Sequence, residues 1–432
     1  MARHVMMFVI CAVLMSLSSV AVAQDATDTV DESDVTDVAG EAADSEGSRV
    51  TLRFVVTVPR DTPDGETIYL CGDDPQLGGW DGAGLELTPA GGNEYEGELD
   101  FVRGAQVQFK ATRGSWQTVE KNEFGEEIEN RWVIADQDKD VPVVVAAWAS
   151  GQAQQVEPTL TGDIRRHEHF HSTILNNDRT LLVYLPPGYA PGDADDDRRY
   201  PVLYMHDGQN IFDAGTSFAG VEWGVDEAAE RLIATGTIEP IIIVGIYNNA
   251  DRMTEYTPRP DGDKGDAYAR FVVEEVKPFI DRTYRTDPSR EKTGVAGSSL
   301  GGLISLYMVG AHADTFGRCG GVSPSLWWSD RWLIRRWQAE PPSWPEGERI
   351  WIDMGTLEGR PGPDGAASGV SPGAAQSISS AVADARELAR MLEAGGLKRG
   401  TGYEYLEIEG GRHNEAAWAG RIERILTYLY GR

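Results

Sequence analysis

The chain has 432 residues, 69 acidic against 39 basic, with a net charge of −30 and a pI near 4.6. That excess argues against nucleic acid or an anionic membrane surface as a partner. A solvated acidic surface is its plain explanation.

Met1–Ala23 reads as a secretory signal peptide. Arg3 and His4 give the basic start, Val5 to Leu17 the apolar core, and Ala21-Val22-Ala23 a small-residue cleavage site before Gln24. The run is too short, and too closely followed by acid, to anchor in a membrane. A lipoprotein signal would need Cys11 after a small residue, and Ile10 precedes it. The expectation is a secreted or periplasmic protein, free of the membrane after cleavage. Residues 24–48 contain no Lys or Arg and little apolar surface, which predicts a disordered acidic linker. About 380 residues remain, the length of two or three domains.

From Arg49 to Trp148 the runs "VTLRFVVTV", "ETIYLCG", "YEGELDF", "AQVQFKAT", "NRWVIA" and "VPVVVAAW" alternate or are β-branched, with Gly, Asp, Pro and Asn between them. That spacing predicts a small antiparallel β-sandwich over 49–148. Within it, "IYLCGDDPQLGGWDG", "VQFKATRGSWQTVEK" and "ENR" resemble a starch-binding-type carbohydrate-binding module of family 20 and its relatives. The resemblance implies a sugar site at Trp80, Lys110, Trp116 and Asn130, and so a polysaccharide partner. Indole faces stack on pyranose rings while Lys and Asn bond hydroxyls. A longer acidic insertion between Trp116 and Asn130 departs from the family pattern. Cys71 and Cys319 fall in apolar runs of different predicted domains and read as buried free thiols.

Residues 149–161 form a Gln/Gly/Pro linker, and a second domain is expected over 162–432. The runs "RTLLVYLPP", "YPVLYMHD", "PIIIVGI", "KTGVAGSS", "GRCGGVS", "RIWIDMGT" and "YEYLEI" are strand-like, with mostly helical segments between them after Asp213. Such alternation predicts an α/β fold with a sheet buried on both faces. In "RRHEHFHS", His167, His169 and His171 would share one face of a strand; three imidazoles can hold a metal, but no acid or thiol pattern accompanies them, and a solvated face is expected. The Gly/Pro/Ala stretch 360–374 reads as an insertion near a functional edge.

"REKTGVAGSSLGGLISLYMVG" (290–310) passes from a short apolar run through glycine and two serines into a helical pattern, the signature of a nucleophile elbow. The cramped turn requires small residues two before and two after its apex. Gly297 and Gly301 flank Ser299 in that way, whereas Ser298 is flanked by Ala296 and Leu300. A serine needs a base oriented by an acid, and the elbow order is Ser, acid, His. Of the two downstream histidines, His312 lies at the end of the elbow's own helix, which leaves His413 in the loop "EGGRHNEAAW". For the acid, Asp353 lies inside "IWIDMGT" while Glu358 lies just beyond it at the carboxyl edge, so Glu358 is preferred. The oxyanion donors expected are the N–H groups of Leu300 and of Gln209 in "MHDGQNIFD", with His206 a structural residue of that loop.

These residues also carry a resemblance. "YPVLYMHDGQNIFD", "VGIYNNADRMTEYTP", "GVAGSSLGGLISLYMVG", "GGVSPSLWW", "GTLE" and "GGRHNEAAW" resemble the esterase family of α/β hydrolases that holds esterase D, feruloyl and acetylxylan esterases and enterochelin hydrolases. From about Arg165 to the C-terminus, it implies an α/β-hydrolase fold with Ser299, Glu358 and His413 as triad, no metal and no cofactor. Joined to a sugar module, it implies an acetyl or feruloyl ester of a glycan as substrate. A siderophore ester, acyl transfer, or an inactive glycan binder remain the alternatives.

Overall fold

The structure is a computed structural model that describes residues 48–432 apart from 64, 123–124, 126–127, 129, 150–157, 190–196, 218–219, 260–262 and 359–379. The predicted signal peptide, nearly all of the acidic linker and the 360–374 insertion lie outside the described residues. No described helix is long and apolar enough to cross a membrane.

Among the described residues ten strands come first: β1 (Arg49–Thr57), β2 (Tyr69–Gly72), β3 (Leu85–Glu86), β4 (Thr88–Gly91), β5 (Glu94–Val102), β6 (Gln106–Thr112), β7 (Glu120–Lys121), β8 (Arg131–Ile134), β9 (Lys139–Val144) and β10 (Ala147–Trp148). They form two four-stranded sheets, ordered β4-β5-β1-β9 and β3-β2-β6-β8, and a two-stranded ribbon of β10 and β7. Along β1 every second residue points inward, so Val50, Leu52, Phe54 and Val56 enter the core. The edge of the Phe109 ring meets Phe54 at 5.1 Å between centroids. The sheets are antiparallel, as alternation suggests, except that β1 and β9 run parallel. Pattern alone does not fix strand direction when the connection is long.

The following eight strands are β11 (Asp163–Ser172), β12 (Asn177–Leu185), β13 (Val202–His206), β14 (Ile242–Ile246), β15 (Thr293–Ser298), β16 (Arg318–Val322), β17 (Arg349–Gly355) and β18 (Tyr403–Ile408). They make one sheet, in the order β11-β12-β14-β13-β15-β16-β17-β18. β12 runs antiparallel to both neighbours, and from β14 to β18 every pair is parallel. The central strands are buried along their whole length because helices cover both faces. Val202 and Tyr204 join one core with Leu303, Ile304, Leu388 and Trp337; Leu203 and Met205 join the other with Val225, Ala228, Ile425 and Leu429. Parallel strands bring their carboxyl ends to one edge, where the residues that follow β13, β15, β17 and β18 meet. Cys71 and Cys319 are buried free thiols.

One expectation on β11 fails. The pairing with β12 shifts register between His167 and Phe170, and His169 takes a positive φ of 56°. The bulge breaks the two-residue period that would align the three imidazoles. His167 Nε2 bonds the Tyr284 hydroxyl at 2.6 Å, and His171 Nδ1 bonds Asp178 at 2.6 Å.

Candidate active site

β15 ends at Ser298, which is 6% exposed, and the chain turns at Ser299 with φ 58° and ψ −122° before the helix Leu300–Ala311 begins. A non-glycine residue in that region is strained and persists only when its surroundings hold it. Here the Ser299 N–H donates to Val322 O at 3.0 Å, while the N–H groups of Ser325 and Leu303 both donate to Ser299 O at 3.0 Å. A Cβ at Gly297 would lie 2.9 Å from Gly301 C, so glycine is required at 297 by backbone contact across the elbow. Leu300 opens the helix, where an N–H has no intrahelical acceptor.

The loop after β18 carries His413 over the elbow. Its path is stitched to the end of β17: the Leu357 N–H donates to Gly411 O at 3.1 Å and the Gly410 N–H to Thr356 Oγ1 at 3.0 Å. Asn414 then caps the short helix Glu415–Ala419, accepting from the Ala417 N–H at 3.0 Å. His413 Nε2 lies 2.9 Å from Ser299 Oγ, and Nδ1 lies 2.9 Å from Glu358 Oε2. An ionised Glu358 can only accept, which puts the proton on Nδ1 and leaves Nε2 to accept from the serine hydroxyl. The edge of Trp418 packs against the imidazole at 4.9 Å, and Trp418 in turn packs against Trp223.

Glu358 is 2% exposed, and its second oxygen accepts from Ser323 Oγ at 2.6 Å and from the Gly355 N–H at 2.8 Å. Burial alone would raise its pKa. The bond to His413 with its charge, the Ser323 hydroxyl and the Arg421 guanidinium outweigh burial and hold the carboxyl below its usual range. Asp353, the acid passed over in the sequence, is fully buried and bonds Arg421 Nη1 at 2.6 Å, Trp351 Nε1 at 2.7 Å and the Ser323 N–H at 3.1 Å. It faces the interior, as its pleat position implies, and burial raises its pKa despite Arg421.

The loop after β13 supplies the remaining wall. Asp207 takes a positive φ of 55°, and a Cβ on Gly208 would come within 2.5 Å of Gly245 C on β14, so only glycine fits. Arg252 grips Asp207 in a two-pronged ion pair at 2.7 and 2.8 Å. A Cβ on Gly301 would lie 3.3 Å from His206 Cβ, which sets this loop against the first turn of the elbow helix. Gln209 sits within it, its side chain accepting from the Asn248 N–H at 3.2 Å.

Four groups escaped sequence reasoning: Ser323, Arg421, Trp418 and Ser325, whose Oγ is 3.1 Å from that of Ser299. Both serines stand in "GGVSPSLWW", a segment whose likeness to the esterases gave no role to either. A cavity of about 470 Å³, lined by residues that include Tyr200, Lys292, Arg318 and Arg349, opens at the amino ends of β13, β15, β16 and β17. It is on the opposite edge of the sheet from Ser299 and has no part in this constellation.

In the sandwich, Trp80 and Trp116 come together, with ring centroids 6.0 Å apart and the Trp116 indole N–H on Trp80 O at 2.9 Å. Both are partly exposed. Lys110 departs from its expected role at an open sugar face, being only 3% exposed. Its charge acts on the buried Cys71 thiol together with that of Glu120, so it belongs to the interior of the sheet. Asn130 is partly exposed, its amide directed at Gln108 Oε1 at 3.3 Å.

Comparison with known proteins agrees with this architecture. Residues 172–429 match the family described as "Putative esterase", and residues 49–144 match the starch binding domain. The ferri-bacillibactin esterase BesA of Bacillus subtilis is 29% identical over 183 residues, 37% of this chain and 59% of that protein. An endo-1,4-beta-xylanase/feruloyl esterase of Xylanibacter ruminicola is 27% identical over 154 residues, 34% of this chain and 19% of that protein. An amylopullulanase of Thermoanaerobacter thermohydrosulfuricus is 36% identical over 96 residues, 22% of this chain and 6% of that protein. This chain therefore spans less than two thirds of each of the three. With its elbow, its eight-stranded sheet and a family match over most of its length, the chain belongs to the esterase family of ester hydrolases, joined to an N-terminal starch-binding-type module.

Proposed function

We propose that the protein is an exported serine carboxylic-ester hydrolase that removes an acyl group from a glycan. The observation that carries this reading is the unbroken hydrogen-bonded line from Ser299 Oγ through His413 to Glu358. Ser299 Oγ attacks the ester carbonyl carbon as its proton passes to His413 Nε2, and the N–H groups of Leu300 and Gln209 hold the resulting oxyanion. The bond to the alcohol oxygen breaks, and His413 returns the proton to that oxygen. Water then attacks the acyl-serine, giving its proton to His413. The carboxylic acid leaves as Ser299 recovers its hydrogen. Glu358 fixes the imidazole tautomer and stabilises its charged form between these steps.

The glycan rests on a different part of the chain. Trp80 and Trp116 offer adjacent indoles in a module similar to starch-binding domains, and a tethered binding module raises the local concentration of an esterified polysaccharide. A second reading, hydrolysis of a siderophore ester, is favoured by the likeness to a ferri-bacillibactin esterase. Export rests on the signal-like segment at residues 1–23.

Two measurements test the proposal. On p-nitrophenyl acetate, Ser299→Ala should lose roughly four to six decades of kcat while Ser298→Ala stays near wild type. The reverse ranking would overturn the assignment of the nucleophile. A screen across acetylated xylan, feruloylated arabinoxylan and a catecholate siderophore ester then decides the substrate. Turnover of the siderophore alone would reject the glycan.

A further inference from the structure

The segment Glu222-Trp-Gly-Val-Asp-Glu227 enters the helix Val225–Ala234 through Gly224. Carboxylate oxygens of Glu222, Asp226 and Glu227 lie within 4.8 Å of one another. Acid in the first turn of a helix is ordinary, because the exposed N–H groups and the helix dipole favour it. That explanation covers neither the burial nor the bonding found here. Asp226 is fully buried; its Oδ2 accepts from the Thr161 N–H at 2.6 Å, and its Oδ1 is buried with no hydrogen-bond partner. Glu227 repeats the pattern, with Oε1 on the Thr161 hydroxyl at 2.8 Å and Oε2 buried and unpartnered. Glu222 does so again, bonded to Thr159 and leaving a buried, unpartnered Oε2. Each acid thus bonds the segment 159–161 through one oxygen; Glu222 also accepts from the Ala214 N–H, and the remaining oxygens of Asp226 and Glu227 face each other with no base between them.

Burial is the largest influence on Asp226 and Glu222, and the charges that act on them are those of other acids. Glu227 acts on Asp226, and Glu227 and Asp213 act on Glu222, with no Lys or Arg among them. Buried carboxylates brought together without a counter-charge are costly. We propose that Glu222, Asp226 and Glu227 hold a calcium ion. The ligands are all oxygen, the preference of a hard cation, and among the described residues no histidine or thiol stands with them to suit zinc. Two oxygens on one calcium at 2.3–2.6 Å lie at most about 5 Å apart, which accommodates the observed spread. The half-charge of the helix N-terminus opposes a cation, but three carboxylates outweigh it.

The bound ion would join three pieces of chain: the end of the linker at 159–161, the segment before the helix, and its first turn. The Trp223 N–H donates to Asn210 O and the Val225 N–H to Ile211 O, both at 3.0 Å, so the site also backs the loop that carries Gln209. It is therefore a structural site, independent of the ester chemistry.

The test uses the full chain freed of metal with chelator. Terbium should bind saturably, with luminescence excited through Trp223 beside Glu222, and calcium should displace it. Millimolar calcium should raise Tm by about 3 °C or more over EGTA. Asp226→Asn and Glu222→Gln should each weaken terbium binding at least tenfold, whereas Glu230→Gln, whose carboxylate bonds the Tyr184 hydroxyl instead, should not. If Asp226→Asn fails to fold, Glu222→Gln and the wild-type titration decide. Absence of saturable terbium binding, or a Tm indifferent to calcium, overturns the proposal. So does a higher Tm for Asp226→Asn in calcium and EGTA alike, the result expected if Asp226 and Glu227 share a proton. A shift with magnesium but not calcium rejects calcium as the ion.

Discussion

His206 ends β13 with 2% exposure, packed against Tyr256 and Tyr268 at 5.3 and 5.5 Å between ring centroids. Its Nδ1 meets the Tyr268 hydroxyl at 2.9 Å and its Nε2 has no partner. Burial drives its pKa down to about 3; Arg252 assists and Asp207 opposes. Between that value and the ordinary 6.5 of an unfolded chain, the unfolded state binds the extra proton, so stability rises with pH. The contribution is complete above pH 6.5 and is lost as pH falls toward 3, on the order of 5 kcal/mol in all. His206→Phe keeps the ring contacts and removes one of the Tyr268 hydroxyl's bonds, at about 1 kcal/mol near pH 7. Its Tm should vary less between pH 4 and 7 than that of the wild type. Parallel Tm–pH curves for the two proteins would refute the assignment.

At the scale of elements, Arg421 precedes the helix Ile422–Tyr430 and ties it to β17 through Asp353, while its Nη1 also donates to Ser323 Oγ at 2.9 Å. Glu358 and Asp353 thus divide two tasks, one oriented at the histidine and the other at the scaffold. Glu358→Gln should lower kcat by roughly three to four decades with little change in Tm, since an amide can hold the wrong imidazole tautomer. Asp353→Asn leaves a buried guanidinium short of charge and should cost about 3 kcal/mol or more of stability. Circular dichroism melts and kcat measured on the same preparations separate the two; a reversed pattern would put the acid inside β17. The strands, the elbow and the order of Ser, Glu and His were legible because they are local patterns of period, glycine and sequence order. The Arg421 network was not, because its partners Asp353 and Ser323 lie 68 and 98 residues away. The histidine stripe of β11 was misread for a related reason: a bulge adds one residue to the period, and no residue there announces it.

Across the whole molecule, catalysis and glycan binding should separate. Stacking on Trp80 and Trp116 is worth about 1 to 2 kcal/mol each by analogy with aromatic contacts. The double variant Trp80→Ala/Trp116→Ala should weaken pull-down on insoluble polysaccharide by about tenfold or more. Its kcat/KM on p-nitrophenyl acetate should stay near wild type. A variant that binds normally at unchanged Tm would exclude this face.

The positive φ at Ser299 sets the chemistry against the fold that houses it. Outside such a turn, glycine is the less stable choice than alanine; at φ 58° the order inverts, because the clash falls on the β-carbon. Both Ser299→Gly and Ser299→Ala lose the bond to His413, yet the glycine variant should be the more stable by about 1 to 2 kcal/mol, which paired thermal melts would reveal. Without selection for turnover, stability would favour a glycine at the apex. On the mechanism proposed above, the strained serine is kept for its reactivity, so among related chains a glycine at this apex is expected to go with loss of esterase activity.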